Sequence, residues 1–239
     1  MVRDVRILTA RRAYEFRMDE LRLSAFTTGP VAQKVIAAFA FRSFDVAQPM
    51  PTFGPVTRTL PPGAVFNWGS LSLADGSLAA VRFLHFEQQR IVFDVAGPSS
   101  AVDLAFETLG AAIAGVRTPD GYAAIGEPVG IREYSELTVR LFISVADLLP
   151  ASLRQVYTKA AAGIGESLAL SPVPHLGVYP APAAGNYPGI PAGVDSFRSF
   201  TLALRKDSPL DGDVYFSAAP LSTEAHVAYL QEVEEALGR

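Results

Sequence analysis

The stretch VFNWGSLSLADGSLAAVRFLHFEQQRIVFDVAGPSSAVDLAFETLGAAI, residues 65–113, reads as three antiparallel strands followed by one amphipathic helix. Asp75-Gly76 is a favoured two-residue hairpin turn, because both central positions tolerate positive φ. It pairs Leu73 with Leu78, Trp68 with Phe83 and Phe66 with His85. A second turn at Gln88-Gln89 pairs Glu87 with Arg90, His85 with Val92 and Phe83 with Asp94. Side chains alternate between the two sides of a strand, so register decides which residues share a face.

One face then carries Val65, Leu71, Leu73, Leu78, Leu84, Phe86, Ile91, Phe93 and Val95, a core face. The other carries Phe66, Trp68, Ser70, Val81, Phe83, His85, Glu87, Arg90, Val92 and Asp94. That mixture is too apolar for plain solvent and too polar for an ordinary core. After Gly97-Pro98, Ser99 or Ser100 can cap a helix, with Asp103 completing a capping-box-like start. Val102, Phe106, Leu109 and Ile113 recur at helical spacing and can lie on the core face.

Working outward, residues 2–26 read as two or three short strands with a turn at Asp19-Glu20. Residues 31–41 fit either a helix after Gly29-Pro30 or a strand. Residues 49–63 are proline-rich loop. The second half starts with Leu137, Val139, Leu141, Ile143 and Val145 alternating as a strand. Pro150 opens a helix with Leu153, Val156, Tyr157 and Ala160 inward, ended by Gly163 and Gly165. Residues 165–193 form a long Pro/Gly-rich loop carrying His175, Tyr179 and Tyr187, read as a lid, an arm or an oligomer contact. Phe200, Leu202, Leu204, Val214 and Phe216 make a last hairpin. Ser222 or Thr223 caps a final helix with His226, Leu230, Val233 and Leu237 inward, and Glu232, Glu234 and Glu235 on its solvated side. Its stripe repeats the spacing of the helix at 99–113. The expected fold is α+β, largely antiparallel sheet with helices on one face, in two pseudo-repeated lobes, 1–128 and 129–239.

Composition narrows the function classes. Of 239 residues, 49% are hydrophobic and 18% charged, which predicts a folded chain with a sizeable core. A net charge of −4 argues against a nucleic-acid binder, since Asp4, Glu15, Asp19 and Glu20 interrupt the one arginine cluster. Without cysteine there is no disulfide, thiolate ligand or cysteine nucleophile. Prolines break the longest uncharged stretch, so it cannot span a bilayer as a helix. The expectation is a soluble, cytoplasmic protein with neither nucleic-acid nor membrane partners.

The chemistry-bearing residues gather on the mixed face. His85 and Asp94 lie diagonally across a hairpin, and a carboxylate can orient an imidazole for acid–base work. Phe66, Trp68 and Phe83 would wall such a site. His85 and Glu87 share a face but lack a clustered third ligand, so no metal or other cofactor is expected. Gly163-Ile164-Gly165 follows a helix rather than a strand and reads as a helix end, not a phosphate loop. There is no nucleophile elbow, and nothing singles out Lys34, Lys159 or Lys206. The leading expectation is a non-enzymatic binding or assembly protein. Its Phe66, Trp68, Phe83 and His85 face, with His175, Tyr179 and Tyr187, would contact another protein chain, a second copy or a small apolar ligand. The alternative is an acid–base isomerase, cyclase or hydrolase using His85 and Asp94.

Overall fold

The computed structural model describes residues 2–27, 29–47, 63–117, 121, 123–142, 150–153, 155–156, 175–178, 200–205 and 212–237. Their frame is one antiparallel sheet of nine strands. The strands are β1 (Arg3–Glu15), β2 (Ser43–Ala47), β3 (Gly63–Ser72), β4 (Leu78–Glu87), β5 (Arg90–Val95), β6 (Gly130–Arg140), β7 (His175–Val178), β8 (Phe200–Leu204) and β9 (Val214–Ala219). They run in the order β2-β3-β4-β5-β1-β6-β9-β8-β7. The fold is therefore α+β and dominated by its sheet.

Four helices, α1 (Leu23–Phe26), α2 (Gly29–Phe39), α3 (Ser99–Ala112) and α4 (Thr223–Leu237), accompany it, and residues 151–153 and 155–156 are helical as well. Phe26 of α1 stacks on Phe86, Phe39 of α2 tilts against Phe93, and Phe106 of α3 stacks on Tyr14. His226 of α4 reaches Ser135, the register partner of Ala10. All these sheet residues point to one side, so these four helices share one face. Val102, Ala105 and Leu109 of α3 are fully buried there. Each large aliphatic side chain so buried contributes about 1.5–3 kcal/mol before ordering costs. A second apolar cluster lies under α4 and includes Leu137, Val139, Leu202, Tyr215 and Leu230.

Several expectations need correction. Residues 2–26, expected to hold two or three short strands, hold one 13-residue strand over 3–15. The ambiguous segment resolves into a helix, α2, and then an edge strand, β2. His175–Val178 is a strand paired with β8, so the 165–193 segment is not all loop. Leu153 and Val156, expected inward, are exposed. Glu234, expected on a solvated face, is buried and accepts the Phe142 N–H at 2.5 Å.

The β3–β4 register is also displaced. Leu73 N–H donates to Ser77 O at 2.8 Å and Gly76 N–H to Leu73 O at 3.0 Å. Asp75 Oδ1 accepts from Ser77 N–H at 2.9 Å and Ser77 Oγ–H at 2.6 Å. Gly76, at φ +81°, then closes a three-residue loop with a bulge instead of a two-residue turn. Pairing becomes Ser72↔Leu78 and Phe66↔Leu84, one residue from the expected register. That slip turns Phe66 into the core against Phe44 and Phe86, and puts Val65 opposite His85.

Trp68 sits at φ +59° and resets the alternation, so both Phe66 and Leu71 reach the helix side. The next residue is closely confined. A Cβ on Gly69 would stand 2.7 Å from the Phe41 ring and 2.8 Å from Phe39 O. The strand can pass that close only with glycine there. Trp68 pays in strain and remains 62% exposed.

Candidate functional site

The β4–β5 hairpin has the expected register: Glu87↔Arg90, His85↔Val92 and Phe83↔Asp94. β1 pairs with β5 through Glu15↔Arg90, Ala13↔Val92 and Arg11↔Asp94. β6 continues the ladder with Ala13↔Arg132 and Arg11↔Tyr134. The face opposite the helices is thus a grid of cross-strand rows. One row reads Phe83, Asp94, Arg11, Tyr134, and the outermost reads Glu87, Arg90, Glu15, Gly130, with Arg132 just inside it.

In the inner row Asp94 is 1% exposed and serves as its anchor. Arg11 donates to Asp94 Oδ2 from Nε at 3.0 Å and from Nη2 at 2.6 Å. The Thr9 hydroxyl lies 2.7 Å from Asp94 Oδ1. The Arg11 guanidinium carbon is 5.2 Å from the Phe83 ring centre and 5.3 Å from that of Tyr134. A cation between two ring faces and held by a carboxylate is oriented from three directions. Tyr134 donates its hydroxyl to Glu136 at 2.8 Å, and burial pushes its pKa upward.

His85 belongs to a different group. Its Nδ1 is 3.4 Å from Glu87 Oε1, and Glu87 Oε2 accepts from Arg90 Nε at 2.8 Å and faces Nη2 at 2.5 Å. The sequence sets His85 beside Asp94, whereas the fold gives His85 to Glu87 and Asp94 to Arg11. Phe83, His85 and Asp94 do share the helix-free face. Phe66 does not, being fully buried on the helix side, and Trp68 stands apart on its kink. His175 opens β7, while Tyr179 and Tyr187 lie outside the described residues. Gly163, Gly165, Lys159 and Lys206 also lie outside them.

At the outer row the side chains border an open cleft of about 490 Å³, lined by Glu15, Glu87, Gln88, Gln89, Arg90 and Arg132 with Phe16 and Val129. Arg132 Nε lies 2.7 Å from Glu15 Oε1. A second, apolar cleft of about 280 Å³ runs beside α3, between Phe106, Gly110 and Ile113 and the segment around Ile125. Among the described residues no three His, Asp or Glu side chains gather to hold a metal ion, and no helix is long and apolar enough to cross a membrane.

Sequence reasoning missed Thr9, Arg11, Glu15, Arg132 and Tyr134. The available signal was the alternation Thr9, Arg11, Ala13, Glu15 against Ala10, Arg12, Tyr14. Reading it requires knowing that β1 is one central strand rather than two pieces. Comparison with protein-family models, with curated proteins and with solved structures finds no match, which leaves the side chains of this face as the guide to function.

Proposed function

We propose that this is a non-enzymatic binding protein that recognises a protein chain or a small ligand on the helix-free face of its sheet. The observation that carries the reading is the row Phe83, Asp94, Arg11, Tyr134. Its guanidinium is fixed by a buried carboxylate and flanked by two rings, on the face opposite α1, α2, α3 and α4. Arginine and aromatic side chains held in advance lose little entropy on contact, which suits them to recognition. The acid–base alternative is weakened by the engagement of Asp94 with Arg11 and Thr9 rather than with His85.

A two-lobed repeat, 1–128 and 129–239, belongs to the same reading. What supports it is the strand order: β1 and β6 are central neighbours, flanked by β5 and β9, each of which leads into a helix. A reducing, cytoplasmic setting is part of it too, supported by the lack of cysteine.

The test combines light scattering over a range of concentrations with a thermal-shift screen of small molecules. The expected result is either a mass above one chain that falls in Phe83→Ala, or a ligand that raises Tm and is recovered unchanged. A ligand at a hundredfold excess over Kd stabilises by about 2.7 kcal/mol, well within reach of such a screen. A strict monomer with no stabilising ligand, or a ligand that is consumed, would overturn the reading.

A further inference from the structure

Arg90 and Glu15 are direct register partners on β5 and β1, on the same face of the sheet. Partners in an antiparallel ladder stand about 4.5–5.5 Å apart at Cα, close enough for opposite charges to pair. They do not pair with each other. Arg90 turns outward to Glu87, through Nε and Nη2, and Glu15 turns the other way to Arg132. The row therefore splits into two ion pairs with a gap between them, and the cleft opens over that gap.

The split row has chemistry to offer. Arg90 faces Glu87 through Nε and Nη2, Arg132 faces Glu15 through Nε, and all four side chains line the cleft. Glu87, 8% exposed and backed by His85, holds Arg90 from behind and leaves its other edge toward the cleft. Gly130 is the partner of Glu15 on β6. A Cβ there would come within 3.4 Å of Glu15 Oε2.

We propose that this cleft binds a free α-amino acid. Its carboxylate lies against Arg90 and Arg132, its ammonium group against Glu15, and its side chain against the exposed Val129. The inference rests on the binding reading of this face and names a ligand class for it. A lone anion would meet Glu15 and Glu87 beside the arginines, and a lone cation would meet the arginines beside the carboxylates. Only a molecule carrying both charges answers the alternating row, and that repulsion of single charges supplies the selectivity. A cleft of about 490 Å³ is within the usual range for small ligands.

The experiment is calorimetric titration of the full chain with L-leucine and glycine, beside 4-methylpentanoate and isopentylamine, which each lack one of leucine's charges. L-Leucine is expected to bind at least about tenfold more tightly than either analogue. Glu15→Gln and Arg132→Met should each weaken it by about tenfold or more while leaving Tm unchanged. No heat from L-leucine or glycine at about 10 mM would overturn the proposal, as would equal affinity for 4-methylpentanoate or full affinity in both variants. Where light scattering still shows assembly lost in Phe83→Ala, such a failure removes the amino-acid site and leaves the binding reading standing.

Discussion

The two places where helices meet this sheet are joined by different means. Under α1, α2 and α3 the seam is aromatic: Phe26 lies 4.0 Å from Phe86 and Tyr14 3.9 Å from Phe106, ring centre to ring centre. Under α4 the seam is polar at its centre. His226 is fully buried with Nδ1 2.8 Å from Ser135 Oγ and Nε2 2.8 Å from Ser217 Oγ, so the ring links β6 to β9. An aromatic seam responds to lost volume, while a polar bridge responds to the proton. Equal burial thus produces two kinds of vulnerability in one sheet.

The largest effect expected tests the aromatic seam. Phe86→Ala removes a fully buried ring that stacks on Phe26 and meets Phe66 edge-on. It should cost about 3–5 kcal/mol by urea unfolding, enough to leave a marginal domain partly unfolded. A cost below about 1 kcal/mol would mean that the seam repacks and the contrast with α4 is false.

The polar seam should break with acid. Burial lowers the His226 pKa from 6.5 to about 4. Between those values the unfolded chain binds a proton that the folded chain refuses. Stability is therefore complete above pH 6.5 and falls as pH drops toward 4, by about 3 kcal/mol at most. That figure is a ceiling because of the neighbouring hydroxyls. Ser135 Oγ also lies 3.0 Å from Leu221 O and Ser217 Oγ 3.1 Å from Thr201 O, so four close contacts share three protons around a neutral ring. A protonated ring would supply the fourth and recover part of the desolvation cost. Urea unfolding at pH 4.5 and 7.5 should show the loss in the natural chain and a smaller one in His226→Leu. Equal pH dependence in both would place the acid sensitivity elsewhere.

The legibility of the fold follows the same division between local and distant causes. The β4–β5 hairpin could be registered from the sequence because Gln88-Gln89 is a minimal turn and Glu87 pairs with Arg90 across it. The β3–β4 hairpin could not, although Asp75-Gly76 marks its turn plainly. Whether that dipeptide closes a two- or three-residue loop depends on the Asp75 side chain reaching Ser77, and on the core claiming Phe66. Register alone puts Trp68 among the aromatic walls of the mixed face, yet its left-handed φ beside the crowded Gly69 takes it out of that alternation. The sequence places His85 and Asp94 together on the helix-free face, where both are buried, while their partners are not equally legible. Glu87 is two residues from His85, but Arg11 is 83 residues from Asp94, and only the pairing of β1 with β5 brings it there.

The smallest effect expected lies where the two seams meet. α3 and α4 begin side by side, and each start serves the other. Ser99 N–H donates to Thr223 Oγ1 at 3.0 Å, Thr223 N–H donates to Ser99 Oγ at 2.9 Å, and the two hydroxyl oxygens are 3.1 Å apart. Helix starts leave backbone N–H groups without intrahelical partners, and a hydroxyl normally satisfies its own helix. Here the hydroxyls are exchanged, so either substitution exposes a defect in both helices. Ser99→Ala and Thr223→Val should each cost about 1–2 kcal/mol. The double variant should cost less than their sum by about 1 kcal/mol, since the second change removes a partner already lost. Strict additivity in that cycle would show two helices capped independently, and the aromatic and polar seams would then fail separately rather than together.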